Sequence, residues 1–149
     1  MNTITYEPEH LHELMDGRLN DGAPEHIGYM RDYAEELHHP DWSYSVIHNG
    51  HLVLCCGIVP MWQGVGEVWF ISSDLIHTHK IPFIRFARQK MLDVVEANGL
   101  IRVQGVVKVG WDAALRFSKF MGFETEGIMK RYGPEGADYY RISWIKNDG

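Results

Sequence analysis

Two periods of hydrophobicity take turns along the chain. Thr3 to Tyr6 reads as a short strand halted by Pro8, and Glu9 to Met15 as a short helix. A second helix is expected from Pro24 to about His38. Ile27, Met30, Ala34 and Leu37 recur there at helical spacing, with proline in the first turn and His39-Pro40 as the stop. The period then shortens to two. Trp42 to His48, the turn Asn49-Gly50 and His51 to Val59 form a hairpin, because Asn-Gly readily takes the positive φ angles of a type I′ turn. Gln63 to Gly66 reads as a further connection into the strand Glu67 to Ser72, which makes three antiparallel strands in a row.

The helical period returns from Pro82 to Asn98, where Ile84, Ala87, Met91 and Val95 share a face and Asn98-Gly99 supplies the stop. Residues 101–109 alternate as a strand. Asp112 is a good N-cap for a helix running through Leu115, Phe117 and Phe120 to Gly122. Phe123 to Arg131 and Asp138 to Lys146 close the chain as an antiparallel pair about Gly133-Pro134-Glu135-Gly136. The strand–helix–strand unit from Glu67 to Val109 is the kind of crossover that gives parallel pairing. The expected fold is therefore α/β (α+β), a mixed and mostly antiparallel sheet with a central parallel pair and helices on both faces. Residues 1–149 contain no repeat, linker or low-complexity tract, so one domain is expected.

Composition narrows the classes. With 45% hydrophobic and 23% charged residues the chain has an ordinary globular balance, and no apolar run nears the roughly 18 residues of a membrane span. The opening residues lack the basic and apolar regions of a signal peptide, so a cytoplasmic protein is expected. A net charge of −6 argues against nucleic acid as a partner, although Lys80, Arg85, Arg88 and Lys90 form a local cluster suited to a phosphorylated ligand. Cys55 and Cys56 are adjacent within an apolar strand, point to opposite faces and read as reduced packing residues. The nine histidines include the pairs His77/His79 and His38/His39, neither at the i, i+4 spacing of a zinc helix, and no metal is expected. A G-x-S-x-G nucleophile signature is absent too.

One segment carries a resemblance. Ala114-Leu115-Arg116-Phe117-Ser118-Lys119-Phe120-Met121-Gly122-Phe123-Glu124-Thr125-Glu126-Gly127 resembles the helix-to-strand passage A-x-x-x-Y-x-x-x-G-F-x-x-x-G of the GNAT N-acetyltransferases, and the order of elements matches as well. The Gly-Phe step ends a helix tightly and starts a strand with a core aromatic. Shorter matches, Trp69-Phe70-Ile71-Ser72-Ser73-Asp74, Lys90-Met91-Leu92, Val107-Lys108-Val109-Gly110 and Arg116-Phe117-Ser118-Lys119, look like those of GNAT-like small internal-virion or assembly proteins of short-tailed phages.

The GNAT resemblance implies acetyl-CoA as cofactor and an amine as acceptor. The cofactor would lie in a split between the two parallel strands, with backbone amides from Ile71, Ser72 and Ser73 on the thioester oxygen. Its diphosphate would rest at the start of the next helix, on His79, Lys80, Ile81 and Arg85. The family's Q/R-x-x-G-x-G/A loop corresponds here to His77-Thr78-His79-Lys80-Ile81-Pro82, which lacks both glycines and replaces one amide with proline. Glu67 matches the family's general base, though a plain strand-edge charge explains it equally well. Ser118 stands where the family keeps its tyrosine acid, and Trp111 where many members have asparagine. Tyr132, Tyr139 and Tyr140 are either acceptor-pocket walls or sheet packing, and Trp42 and Trp62 either core or interface. The phage resemblance implies a phage source, a non-catalytic assembly or host-binding role, and a place in the host cytoplasm or the virion. A homodimer fits either reading.

Overall fold

A computed structural model describes residues 2–17 and 30–147. It contains strands β1 (Asn2–Thr5), β2 (Ser43–His48), β3 (His51–Trp62), β4 (Val65–Ser72), β5 (Arg102–Lys108), β6 (Glu124–Met129) and β7 (Tyr139–Ile145). The helices are α1 (Pro8–Asp16), α2 (Lys80–Asn98) and α3 (Asp112–Phe120). One seven-stranded sheet runs in the order β1-β2-β3-β4-β5-β7-β6, and every neighbouring pair is antiparallel except β4 with β5. The mixed sheet expected from the sequence is thus present, parallel pair included.

Helices cover both faces. On one face Leu11 and Leu14 of α1 pack with Tyr6, Cys55, Trp69 and Ile71. On the other, α2 and α3 cover Ile58, Val103 and Val107, with the Phe70 and Phe117 rings 4.6 Å apart. Successive β4 residues therefore serve opposite layers, as the pleat requires. Cys55 and Cys56 divide in the same way. Both are free, and burial pushes each thiol up to about 12, which leaves them inert as nucleophiles.

Several boundaries differ from those expected. The first strand ends at Thr5 because Tyr6 leaves the sheet to bury its ring, its hydroxyl donating to the Ala34 carbonyl at 2.8 Å. β3 runs on past Val59 to Trp62: Pro60 still pairs with Gly66, beside a register shift that comes before Trp62, and proline in a strand is found at such irregular positions. β4 starts at Val65 and not Glu67, since Val65 already pairs with Trp62 and Arg102 and only Gln63-Gly64 turns. A 3₁₀ helix, Asp74–His79, leads straight into α2, which begins two residues before Pro82. The first part of the expected second helix, with Ile27, lies outside the described residues. Residues 30–33 form 3₁₀ helix and 34–37 a turn, not regular α-helix, with Ala34 buried against α1's layer.

Candidate functional site

The centre of the sheet is where the strands part. β4 and β5 pair only over Val65↔Arg102, Gly66↔Val103 and Glu67↔Gln104, and the ladder ends there. β5 goes on pairing with β7 as far as Lys108↔Tyr139, so the two parallel strands diverge while each stays held from its outer side. Gly105 allows the floor of the split to be this tight: a Cβ there would lie 2.8 Å from Val68 Cγ1.

A cavity of about 340 Å³ opens from this split. Phe70, Met91, Val107 and Phe117 line it on the α2/α3 side, and Trp69, Ile71 and Trp111 on the α1 side. Val68 to Ser72 of β4 border it without a break, so the edge of that strand, no longer paired with β5, forms part of the wall. Its lining is mostly apolar, with Lys80, His77 and Lys90 among its few charged or titratable members.

The residues singled out from sequence fall into three groups. Ile71, Ser72, Lys80, Trp111 and Ser118 line the cavity together. Ser118 is buried and its hydroxyl donates to the Leu115 carbonyl at 2.7 Å, so that proton is already engaged. Trp111 Nε1 is buried with no hydrogen-bond partner. Ser73 does not line the cavity; its hydroxyl accepts the Leu75 N–H and caps the 3₁₀ helix. His79 turns to another place, its ring 5.6 Å from that of His48 beside a smaller hollow. Ile81 and Arg85 are exposed on the first turns of α2. Trp62 is exposed while Trp42 borders the cavity.

Glu67 lies on the α1-side face of β4, in line with Trp69 and Ile71 and about 7 Å from Trp69 along the strand. It is a partly buried carboxylate at the last rung before the split, not a strand-edge charge. Arg141 of β7 donates to both its oxygens at 3.1 and 3.0 Å, and Gln104 of β5 donates at 3.4 Å. Burial nevertheless wins over these partners and raises the Glu67 pKa above the ordinary carboxylate range. A second pair stands beside it. Arg102 grips Glu126 with two bonds of 2.7 and 2.9 Å, and Ser143 Oγ donates to Glu126 at 2.5 Å. Arg102 and Ser143 bring the Glu126 carboxyl down to about 2.

Arg141 and Gln104 were not singled out from sequence. Arg141 lies 74 residues from Glu67, and only the placing of β7 beside β5 brings them together. Their sole local signal is strand alternation.

The Glu126 pair sets an acid limit. A folded pKa below the unfolded value of about 4.5 stabilises the fold above pH 4.5 and loses that contribution as pH falls towards 2. The expected result is a melting temperature that drops over that window in the wild type and less steeply in Glu126→Gln. Parallel slopes would mean the pair is not formed in solution.

The architecture, a sheet parting after one short parallel contact beneath two helices, is the GNAT acetyltransferase fold. Solved structures agree with it. The GNAT-family acetyltransferase from Streptococcus pneumoniae superposes with a TM-score of 0.70 at 15% identity, over 98% of this chain and 99% of that one. The ribosomal-protein-S18-alanine N-acetyltransferase from Escherichia coli gives 0.72 at 13%, over 99% and 96%. Ard1 from Thermoplasma volcanium gives 0.74 at 13%, over 99% and 98%. At these identities the likeness is one of fold. No protein-family model matches the chain, and no curated protein does. Among the described residues no helix is long and apolar enough to cross a membrane.

Proposed function

We propose that the chain is an acetyl-CoA-dependent N-acetyltransferase acting on an amine. The observation that carries this reading is the apolar cavity at the split of the sheet, with the partly buried carboxylate of Glu67 at the last rung before the strands part. The residues suit the group. The apolar walls fit the slender acyl-bearing arm, and α2 offers a 19-residue helix whose N-terminus has no side-chain cap, flanked by Lys80 and Arg85. Charge there replaces the missing glycine cradle.

When bound, acetyl-CoA supplies an activated acyl carbon to an amine nitrogen. Glu67 takes the proton which that nitrogen sheds on bonding to carbon, and burial, which raises its pKa, makes it a better proton acceptor than an exposed carboxylate. The Ser73 N–H is spent on the Val53 carbonyl at 2.8 Å, and strand alternation turns the Ile71 N–H toward β3 as well, which leaves the Ser72 amide to stabilise the developing oxyanion. Ser118 shapes the cavity wall rather than acting as acid, because its proton is held by Leu115. With the Ser118 hydroxyl engaged, solvent would supply the proton that a departing thiolate needs.

Calorimetry with acetyl-CoA tests the cofactor site. Micromolar binding is expected, weakened about fivefold in each of Lys80→Ala and Arg85→Ala, the scale of an exposed charge contact. Absence of heat at millimolar acetyl-CoA would sink the reading. It would favour a second one, a GNAT-shaped assembly or host-binding protein without catalysis; the engaged Ser118 hydroxyl and the proline in α2's first turn support the lack of catalysis.

A further inference from the structure

The two arginines on the open half of the sheet are engaged to different degrees. Arg102 spends Nη1 and Nη2 on Glu126 and Nε on Gln104. Arg141 makes every hydrogen bond from Nη1, to both Glu67 oxygens and, at 3.4 Å, to the Gly105 carbonyl. Its Nη2 and Nε have no hydrogen-bond partner among the described residues. The guanidinium is held in place nonetheless, because the Tyr132 ring lies 6.0 Å from its central carbon and the side chain is only 21% exposed. A fixed guanidinium with donors to spare matches the flat fork of a carboxylate.

We infer that Arg141 is the specificity-determining residue of the acceptor site. It receives the carboxylate of an acceptor whose amine lies against Glu67, so the acceptor class is free α-amino acids or similarly compact amino carboxylates. The Glu67–Arg141 pair, neutral overall, is the charge mirror of a zwitterion: ammonium meets carboxylate and carboxylate meets guanidinium. A polyamine brings only positive charge to Arg141. A protein N-terminus has no carboxylate at that distance from its nitrogen. By drawing on Arg141, the bound carboxylate also loosens the guanidinium's hold on Glu67 and leaves the base freer to accept a proton. Turnover in this account rests on the acetyltransferase reading, whereas the carboxylate seat does not.

The test compares the twenty amino acids with their α-amides and with spermidine on the intact protein. Acetylation is measured with acetyl-CoA present, and binding of the same compounds is followed by nuclear magnetic resonance. For the best side chain the amino acid is expected to exceed its amide ten- to hundredfold in kcat/KM, the value of charge-assisted hydrogen bonds. Arg141→Gln brings that ratio close to one, mainly through KM, and Arg141→Lys restores part of it. Arg102→Gln, which removes a cation from the same face, keeps the ratio. Amides or spermidine used as well as amino acids would overturn the inference, and so would an Arg141→Gln variant that changes only melting temperature. Carboxylate-dependent binding that Arg141→Gln abolishes, with no acetylation of any compound, would uphold the seat and fail the acetyltransferase reading. Should Arg141→Gln not fold, the wild-type ratio and Arg141→Lys still decide.

Discussion

Glu67→Gln is expected to lower kcat/KM by about 10²- to 10⁴-fold, the usual contribution of a positioned general base. Glutamine keeps the shape and can still face Gln104 and Arg141, but it cannot take a proton. The pH profile separates this from a packing effect. In the wild type, activity falls as Glu67 becomes protonated, and burial places that acid limb above the ordinary carboxylate range. The variant's residual activity should lack the limb. The substitution also leaves the Arg141 guanidinium without its counter-charge, so some loss of stability accompanies it. An unchanged rate would remove Glu67 from the chemistry and leave it as a fastening of β4 to β7.

The largest effect on stability is expected at Phe83. Its side chain is 0% exposed, seated among Val46, Val53, Leu54, Cys56 and Ile76, with the His48 ring 5.8 Å away. Phe83→Ala removes that volume from a site whose walls belong to β2, β3 and the 3₁₀ helix and cannot close together. A cost of about 3–5 kcal/mol follows, against a total of roughly 5–15 for an ordinary domain. Denaturant midpoints at constant slope would measure it. Phe83 lies one turn into α2, so acetyl-CoA affinity should weaken as well if the helix start binds the cofactor. A change below about 1 kcal/mol would mean that α2 does not rest on the hairpin as described.

Features written in local chemistry were legible in the sequence. Asn49-Gly50 turns with φ of 52° and 76°, and Gly99 closes α2 at φ 64°, its N–H bonding to the Val95 carbonyl. Alternation from 101 to 109 gave β5 nearly its bounds. Other features depend on partners. Pro60 looks like a strand end until Gly66 pairs with it, and Val65 looks like loop until Trp62 and Arg102 pair with it. The 3₁₀ helix from Asp74 to His79 has too few apolar residues to show a period. In the site, Glu67 and the cavity residues near Ser72 and Ser118 came from the resemblance. Arg141, set by a contact 74 residues long, had no such cue.

β6 is a free border of the sheet, exposed along almost its whole length, with Ile128 55% exposed. Such a border invites another chain to add a strand. A register shift between Thr125 and Gly127 breaks its regularity, and Glu124 and Glu126 bring negative charge to it. Both are known guards against unwanted strand addition. The Arg102–Glu126 grip lies in that same irregular stretch, so the border of the sheet is tied across β7 to β5 at the point where its own ladder is interrupted.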